Sequence, residues 1–126
     1  MANSSEGSIS SASATEIEQD LRAKGVTYCL ASYVDVHGIA KAKLVPIDHF
    51  QRMLRGSELF TGAALDGLGQ GPQDDELAIH PDPAAVTVLP WRPEIAWAPG
   101  NLKYHDEPYP MCSRTILSRQ AERATA

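Results

Sequence analysis

The chain has 126 residues, 43% of them apolar and 21% charged, with a formal net charge of −5. This length and composition fit one globular domain rather than a disordered segment. The acidic balance argues against a nucleic-acid or anionic-membrane partner, and no apolar run approaches the ~18 residues that a membrane helix needs.

Residues 1–13 are mostly Ser, Ala and Gly with one Glu and read as a mobile tail. Nothing in them pairs a basic segment with an apolar one, so no secretory signal and a cytoplasmic location are expected. Thr15-x-x-Glu18 has the pattern of a capping box and opens a short helix over 15–24, with Ile17 and Leu21 on one face and Gly25 as its stop. Residues 26–34 (VTYCLASYV) read as a buried strand. Asp35-Val36-His37-Gly38 carries turn chemistry, and Ile39 to Val45 alternates, with Ala40, Ala42 and Leu44 opposite Lys41 and Lys43. The result is a β-hairpin whose alanine–leucine face is expected to be buried.

Pro46 opens a second helix in which Ile47, Phe50, Met53 and Leu54 follow helical spacing up to Gly56. It is expected to lie across the hairpin. SELFTGAAL allows a short strand, LDGLGQGPQDDE is a loop, and ELAIHPD allows a brief extended segment. Residues 84–89 (AAVTVL) read as a strand. A turn around Trp91, between Pro90 and Pro93, leads to another strand over 94–98 that can run on to Tyr104. Trp91 and Trp97 are expected to pack this second hairpin. Cys112 to Ala124 is helix-like, with Ile116, Gln120 and Ala124 on a stripe that has few apolar neighbours. The pattern predicts an α+β fold, a β-grasp (ubiquitin-like roll) with a small mixed sheet and a packed helix. It divides the chain into a tail over 1–13, a domain over 14–111 and a helix over 112–126 leading out of it. The core is expected to hold Ala40, Ala42, Leu44, Phe50, Leu54, Val86 and Val88.

The stretch with the most chemistry in it is Asp66-Gly67-Leu68-Gly69-Gln70-Gly71. Its glycines let the backbone bend tightly around a ligand or swing as a flap. Spacing alone favours an ordinary turn whose Asp accepts backbone N–H groups. It is not a phosphate loop, because no Lys-Ser/Thr follows and the nearby acids repel phosphate. The four histidines and two cysteines show no metal-ligand spacing, so no metal site is expected, and Cys29 and Cys112 read as reduced thiols. Asp74-Asp75-Glu76 reads as a solvated acidic run. No nucleophile elbow or Ser/His/Asp set is present.

Three segments together resemble the N-terminal domain of the glutamine synthetase family. They are the hairpin TYCLASYVDVHGIAKAKLVP, then ALDGLGQGPQDDELAIHPDPAAVTVLPW, then YHDEPYPMCSRTILSRQAERA. The resemblance covers about residues 26–124 through the Asp35–Gly38 turn, basic Lys41 and Lys43, Asp66-Gly67, Glu76, and Pro81-Asp82-Pro83. It implies a β-grasp domain joined to a larger catalytic domain that this chain does not contain. The reaction implied is glutamine biosynthesis or its amine counterpart: ligation of glutamate to ammonia or an amine, with ATP and Mg²⁺ or Mn²⁺. The implied partner is the catalytic domain of the neighbouring subunit in a homo-oligomer, whose ammonium subsite this domain completes. Asp66 takes the place of the family aspartate that binds ammonium and removes its proton, with Gly67, Leu68 and Gly69 as the amine-site loop. Leu68 and Gly69 stand where the family usually has serines. That departure suits the glutamate–amine ligases of the family. The alternative is a free-standing β-grasp interaction module without catalysis, since fold alone allows either. The resemblance also implies that the chain is inactive by itself.

Overall fold

The computed structural model describes residues 11–126. Among them the chain forms α1 (Ser11–Ala23), the hairpin β1 (Tyr28–Val34) and β2 (Ala40–Pro46), and α2 (Phe50–Leu54). There follow β3 (Glu58–Phe60), β4 (Leu77–Pro81), β5 (Thr87–Leu89), β6 (Arg92–Tyr104), β7 (Glu107–Pro108) and α3 (Ser113–Thr125). The architecture is α+β with a mixed sheet of seven strands, in a β-grasp-like arrangement. The path runs β2-β1-β6-β4-β3, with β5 and β7 also paired to β6.

The long strand β6 organises the sheet. Its first half runs parallel to β1, from Tyr28 opposite Ile95 to Ser32 opposite Pro99. Its second half pairs antiparallel with β4, from Pro81 opposite Gly100 to Ala78 opposite Lys103. At the changeover the two backbones come so close that a Cβ on Gly100 would lie 2.2 Å from the His80 carbonyl oxygen. Backbone cannot yield as a flexible side chain does. Gly100→Ala is therefore expected to destabilise the domain by ~1–3 kcal/mol or more, as overpacking does. A urea titration of the two proteins measures the difference.

Helix α1 begins at Ser11 rather than Thr15. Of the tail expected over 1–13, residues 1–10 lie outside the described residues. Thr15 and Glu18 do not form a capping box. They lie within the helix, where Gln51 Nε2 donates to Glu18 Oε1 at 2.9 Å and to Thr15 Oγ1 at 3.4 Å. Glu18 also pairs with Arg22 at 2.9 Å. Leu21 and the second helix's Phe50, Met53 and Leu54 join Cys29, Ala31, Tyr33, Leu77, Ile79 and Leu102 in one core.

Phe50 and Leu54 are buried as expected, but the predicted face of β2 is inverted. Ala40, Ala42 and Leu44 are exposed, Leu44 by 53%. Register explains this. Leu44, Ala42 and Ala40 pair with Leu30, Ser32 and Val34, whereas the core residues Cys29, Ala31 and Tyr33 pair with Val45, Lys43 and Lys41. The lysines thus share the face of the core residue Val45, and Lys43 Nζ stands 5.7 Å from the Phe60 ring centre.

Further along, the expected strand over 84–89 is shorter. Pro83–Ala85 is a 3₁₀ turn capped by Asp82, whose Oδ1 accepts from the Ala84 N–H, so only Thr87–Leu89 is extended. Val86 and Val88 are half-buried rather than core. Trp91 does not pack the hairpin, since it is 77% exposed at the β5–β6 turn, and Trp97 is only partly covered. Helix α3 is docked at its base. Cys112 and Thr115 are buried, the Leu102 N–H donates to Cys112 Sγ at 3.4 Å, and Arg114 reaches Asn101 and Asp82 at 3.0 and 2.9 Å. Beyond that turn Ile116, Leu117, Gln120 and Ala124 are exposed, so the stripe has little to pack against within this chain.

Candidate functional site

The Asp66 loop meets the β1–β2 turn. The turn is built around Asp35, which is buried. Its Oδ1 accepts from the backbone N–H groups of His37 and Ile39, each at 2.9 Å, and Lys41 Nζ lies 3.4 Å from its Oδ2. The Ile39 N–H above all, then the His37 N–H and Lys41, hold the Asp35 carboxyl below the usual carboxylate range, against the opposite pull of burial. An Asp so used fixes the turn from within and leaves the side chains of Val36 and His37 pointing away from that bond network.

Those two side chains engage the loop. His37 Nε2 lies 2.9 Å from Asp66 Oδ2. The next residue, Gly67, has φ of +83°, and a Cβ on it would sit 3.1 Å from Val36 Cβ. Only glycine takes this left-handed conformation at little cost while lying so close to Val36. The Asp66 carboxylate is therefore bonded across to the turn, not to its own backbone, and its side chain remains 79% exposed. Gly67 and Gly69 both have positive φ. Leu68 is turned inward and only 2% exposed, and the Tyr109 hydroxyl donates to the Leu68 carbonyl oxygen. Leu68 thus anchors the loop in the core and leaves Asp66 and Gly69 on the outside.

Behind Asp66 lies a small cavity of about 110 Å³ whose walls include Tyr33, Val36, Leu68, Met111, Ser113 and Ile116. It is predominantly apolar, with Asp66 among its lining residues. Burial, and then the charge of Asp35, pushes the Tyr33 hydroxyl up to about 12, and that hydroxyl has no hydrogen-bond partner among the described residues. A larger open groove of about 710 Å³ runs between α1 and the Pro83–Val88 segment and shares no residue with the loop.

The far end of the loop is held by its acids, which are exposed but not merely solvated. Asp74 Oδ2 accepts from the Gly71 N–H at 2.8 Å, Asp75 meets His105 Nε2 at 2.8 Å, and Thr61 donates to Glu76 at 2.8 Å. No group of three His, Cys, Asp or Glu among the described residues comes together to hold a metal ion. Among the described residues no helix is long and apolar enough to cross a membrane. Cys29 and Cys112 are both free and buried, and burial pushes the Cys29 thiol up to about 11. Asp66 is thus a carboxylate held from one side by an imidazole and open on the other.

No family model matches the chain. Known proteins do. The chain is 33% identical over 115 residues to a glutamate–methylamine ligase of Methyloversatilis universalis, covering 90% of this chain and 26% of that protein. It is 35% identical over 98 residues to a glutamine synthetase of Rhizobium meliloti, covering 78% of this chain and 22% of the relative. Among solved structures, a GmaS/ADP complex superposes with a TM-score of 0.80 at 30% identity, over 86% of this chain and 25% of that one. GmaS without ligand gives the same TM-score at 31% identity. The chain thus spans about a quarter of the length of the relatives it matches.

Proposed function

The chain is a relative of the glutamine synthetase-type ligases, and we propose that it serves as the N-terminal domain of such an enzyme, supplying the amine-binding carboxylate of the site. The observation that carries this reading is the Asp66 loop. It presents the exposed Asp66 carboxylate on a seat fixed by His37, Gly67 and Leu68, with its aspartate, glycines and following acids in the order the resemblance implies.

The chemistry that suits Asp66 is binding and deprotonation of a cationic amine. A carboxylate attracts an ammonium or alkylammonium ion and, in a site closed to water, accepts its proton. The free amine then attacks the γ-carbonyl of glutamate activated by phosphoryl transfer from ATP, and inorganic phosphate leaves. The groups that bind ATP, glutamate and the divalent metal belong, on this reading, to a catalytic domain outside this chain.

The exposed apolar sheet face supports a protein partner. Tyr28, Val34, Leu44 and Trp97 all lie open, and apolar patches of this kind mark protein contacts. In the proposed assembly the catalytic domain of the neighbouring subunit covers it, within a cytoplasmic homo-oligomer. The apolar lining behind Asp66 favours a small alkylamine over ammonia, because an alkyl group gains from leaving water there.

The test is phosphate release by the complete protein carrying this segment, given glutamate, ATP and Mg²⁺, with ammonia or methylamine at matched free-base concentrations. Release that depends on the amine, with methylamine the better substrate by kcat/KM, is expected. Release with neither amine removes the ligase reading, and a strong preference for ammonia removes the alkylamine.

A further inference from the structure

We propose that His37 is a positioning residue for Asp66: its imidazole holds one carboxylate oxygen so that the other faces the amine. The inference rests on the reading of Asp66 given above and adds a second residue to that site. His37 and Asp66 are 29 residues apart in sequence and meet at 2.9 Å through Nε2 and Oδ2, a contact that spacing does not reveal.

Three observations make this more than a chance surface pair. His37 sits on a turn whose backbone is fixed by a buried carboxylate, because the Asp35 Oδ1 accepts from both the His37 and the Ile39 N–H. The same turn touches the loop a second time, at Val36 against Gly67, so the two segments meet at adjacent residues on both sides. The loop in turn is pinned from below by buried Leu68. Asp66 lies between these anchors, and its own side chain is the part that remains free to rotate. A hydrogen bond from Nε2–H removes that freedom and uses Oδ2, which leaves Oδ1 to receive a cation.

The pair contributes little to folding, because both side chains are largely exposed and exposed ion pairs are weak. Its effect falls instead on the orientation of a reacting group, where a small misplacement is costly. Asp35 and Lys41 of the same hairpin are paired with each other, while the His37 ring meets Asp66. The imidazole is thus left to Asp66.

The experiment uses the complete protein with amine, glutamate and ATP each varied in turn. His37→Ala and His37→Phe are expected to raise the KM for the amine about tenfold, the scale of losing one hydrogen bond to a charged group. The KM values for glutamate and ATP, and the thermal midpoint, should stay close to those of the parent. His37→Gln, which keeps an N–H of similar reach, should recover most of the loss. Asp66→Asn is run beside them. If Asp66→Asn impairs amine use while the His37 variants match the parent, the positioning role is wrong and the Asp66 reading stands. If Asp66→Asn is itself unimpaired, both fall. An equal loss in every parameter, unrelieved by Gln, would mean that His37 serves only the fold and would overturn the inference.

Discussion

Phe50→Ala is expected to cost ~3–5 kcal/mol of stability, the range for removing a buried aromatic ring. Phe50 opens α2 and is fully buried, together with Met53 of the same helix and with Cys29 and Ala31 on the sheet. Its removal leaves a cavity that a five-residue helix held by short turns cannot collapse to fill. For a domain of this size the loss is a large part of the total stability. Leu44→Ala is the informative control. Leu44 is as apolar as a core leucine but lies 53% exposed on the outer face of β2. Its truncation should change stability by no more than about 0.5–1 kcal/mol. Urea-unfolding midpoints of the three proteins decide this. A greater loss at Leu44 than at Phe50 would mean that the sheet buries the opposite face.

Alternation along β2 correctly groups Ala40, Ala42 and Leu44 on one face, because the side-chain period of a strand is two. It does not say which face meets the core. Here the lysines share the face of buried Val45, and Ala40, Ala42 and Leu44 face outward. The decision lies in the β1 register, where Cys29, Ala31 and Tyr33 point inward, and β1 itself is apolar on both faces. The second helix was legible from the helical period of Phe50, Met53 and Leu54 and the stop at Gly56, but Pro46 closes β2 and the expected first turn, Ile47–His49, is a 3₁₀ helix. The segment AAVTVL misled because its β-branched residues resemble a strand, while Asp82 and Pro83 impose a 3₁₀ turn on its first half. Trp91 misled because an aromatic residue between prolines looks like packing, but the turn carries it into solvent.

The candidate site was half legible. Asp66 and its glycines stand out in the sequence because three glycines crowd into a short, acidic stretch, although spacing alone favours an ordinary turn there. The inward turn of Leu68 was not legible, since a loop has no period to assign its faces. Nor was His37, because an ion pair across two loops depends on the fold that brings them together. The role of Asp35 was visible only as turn chemistry. Its burial and its bonds to two N–H groups explain why that turn is rigid enough to meet the loop.

Asp66→Asn, made in the complete protein, tests the account most directly. The change is nearly isosteric and falls on an exposed side chain, so the fold and thermal midpoint should be retained. The amide cannot take a proton from an ammonium ion and carries no charge to attract one. Loss of a positioned general base typically costs about 10²- to 10⁴-fold in rate. The kcat/KM for ammonia and for methylamine should therefore both fall by about that range, while the KM values for glutamate and ATP stay nearly unchanged. A fall confined to the amine identifies this loop as the amine subsite. Undiminished kcat/KM for both amines would contradict the central claim and leave Asp66 as no more than an exposed partner of His37.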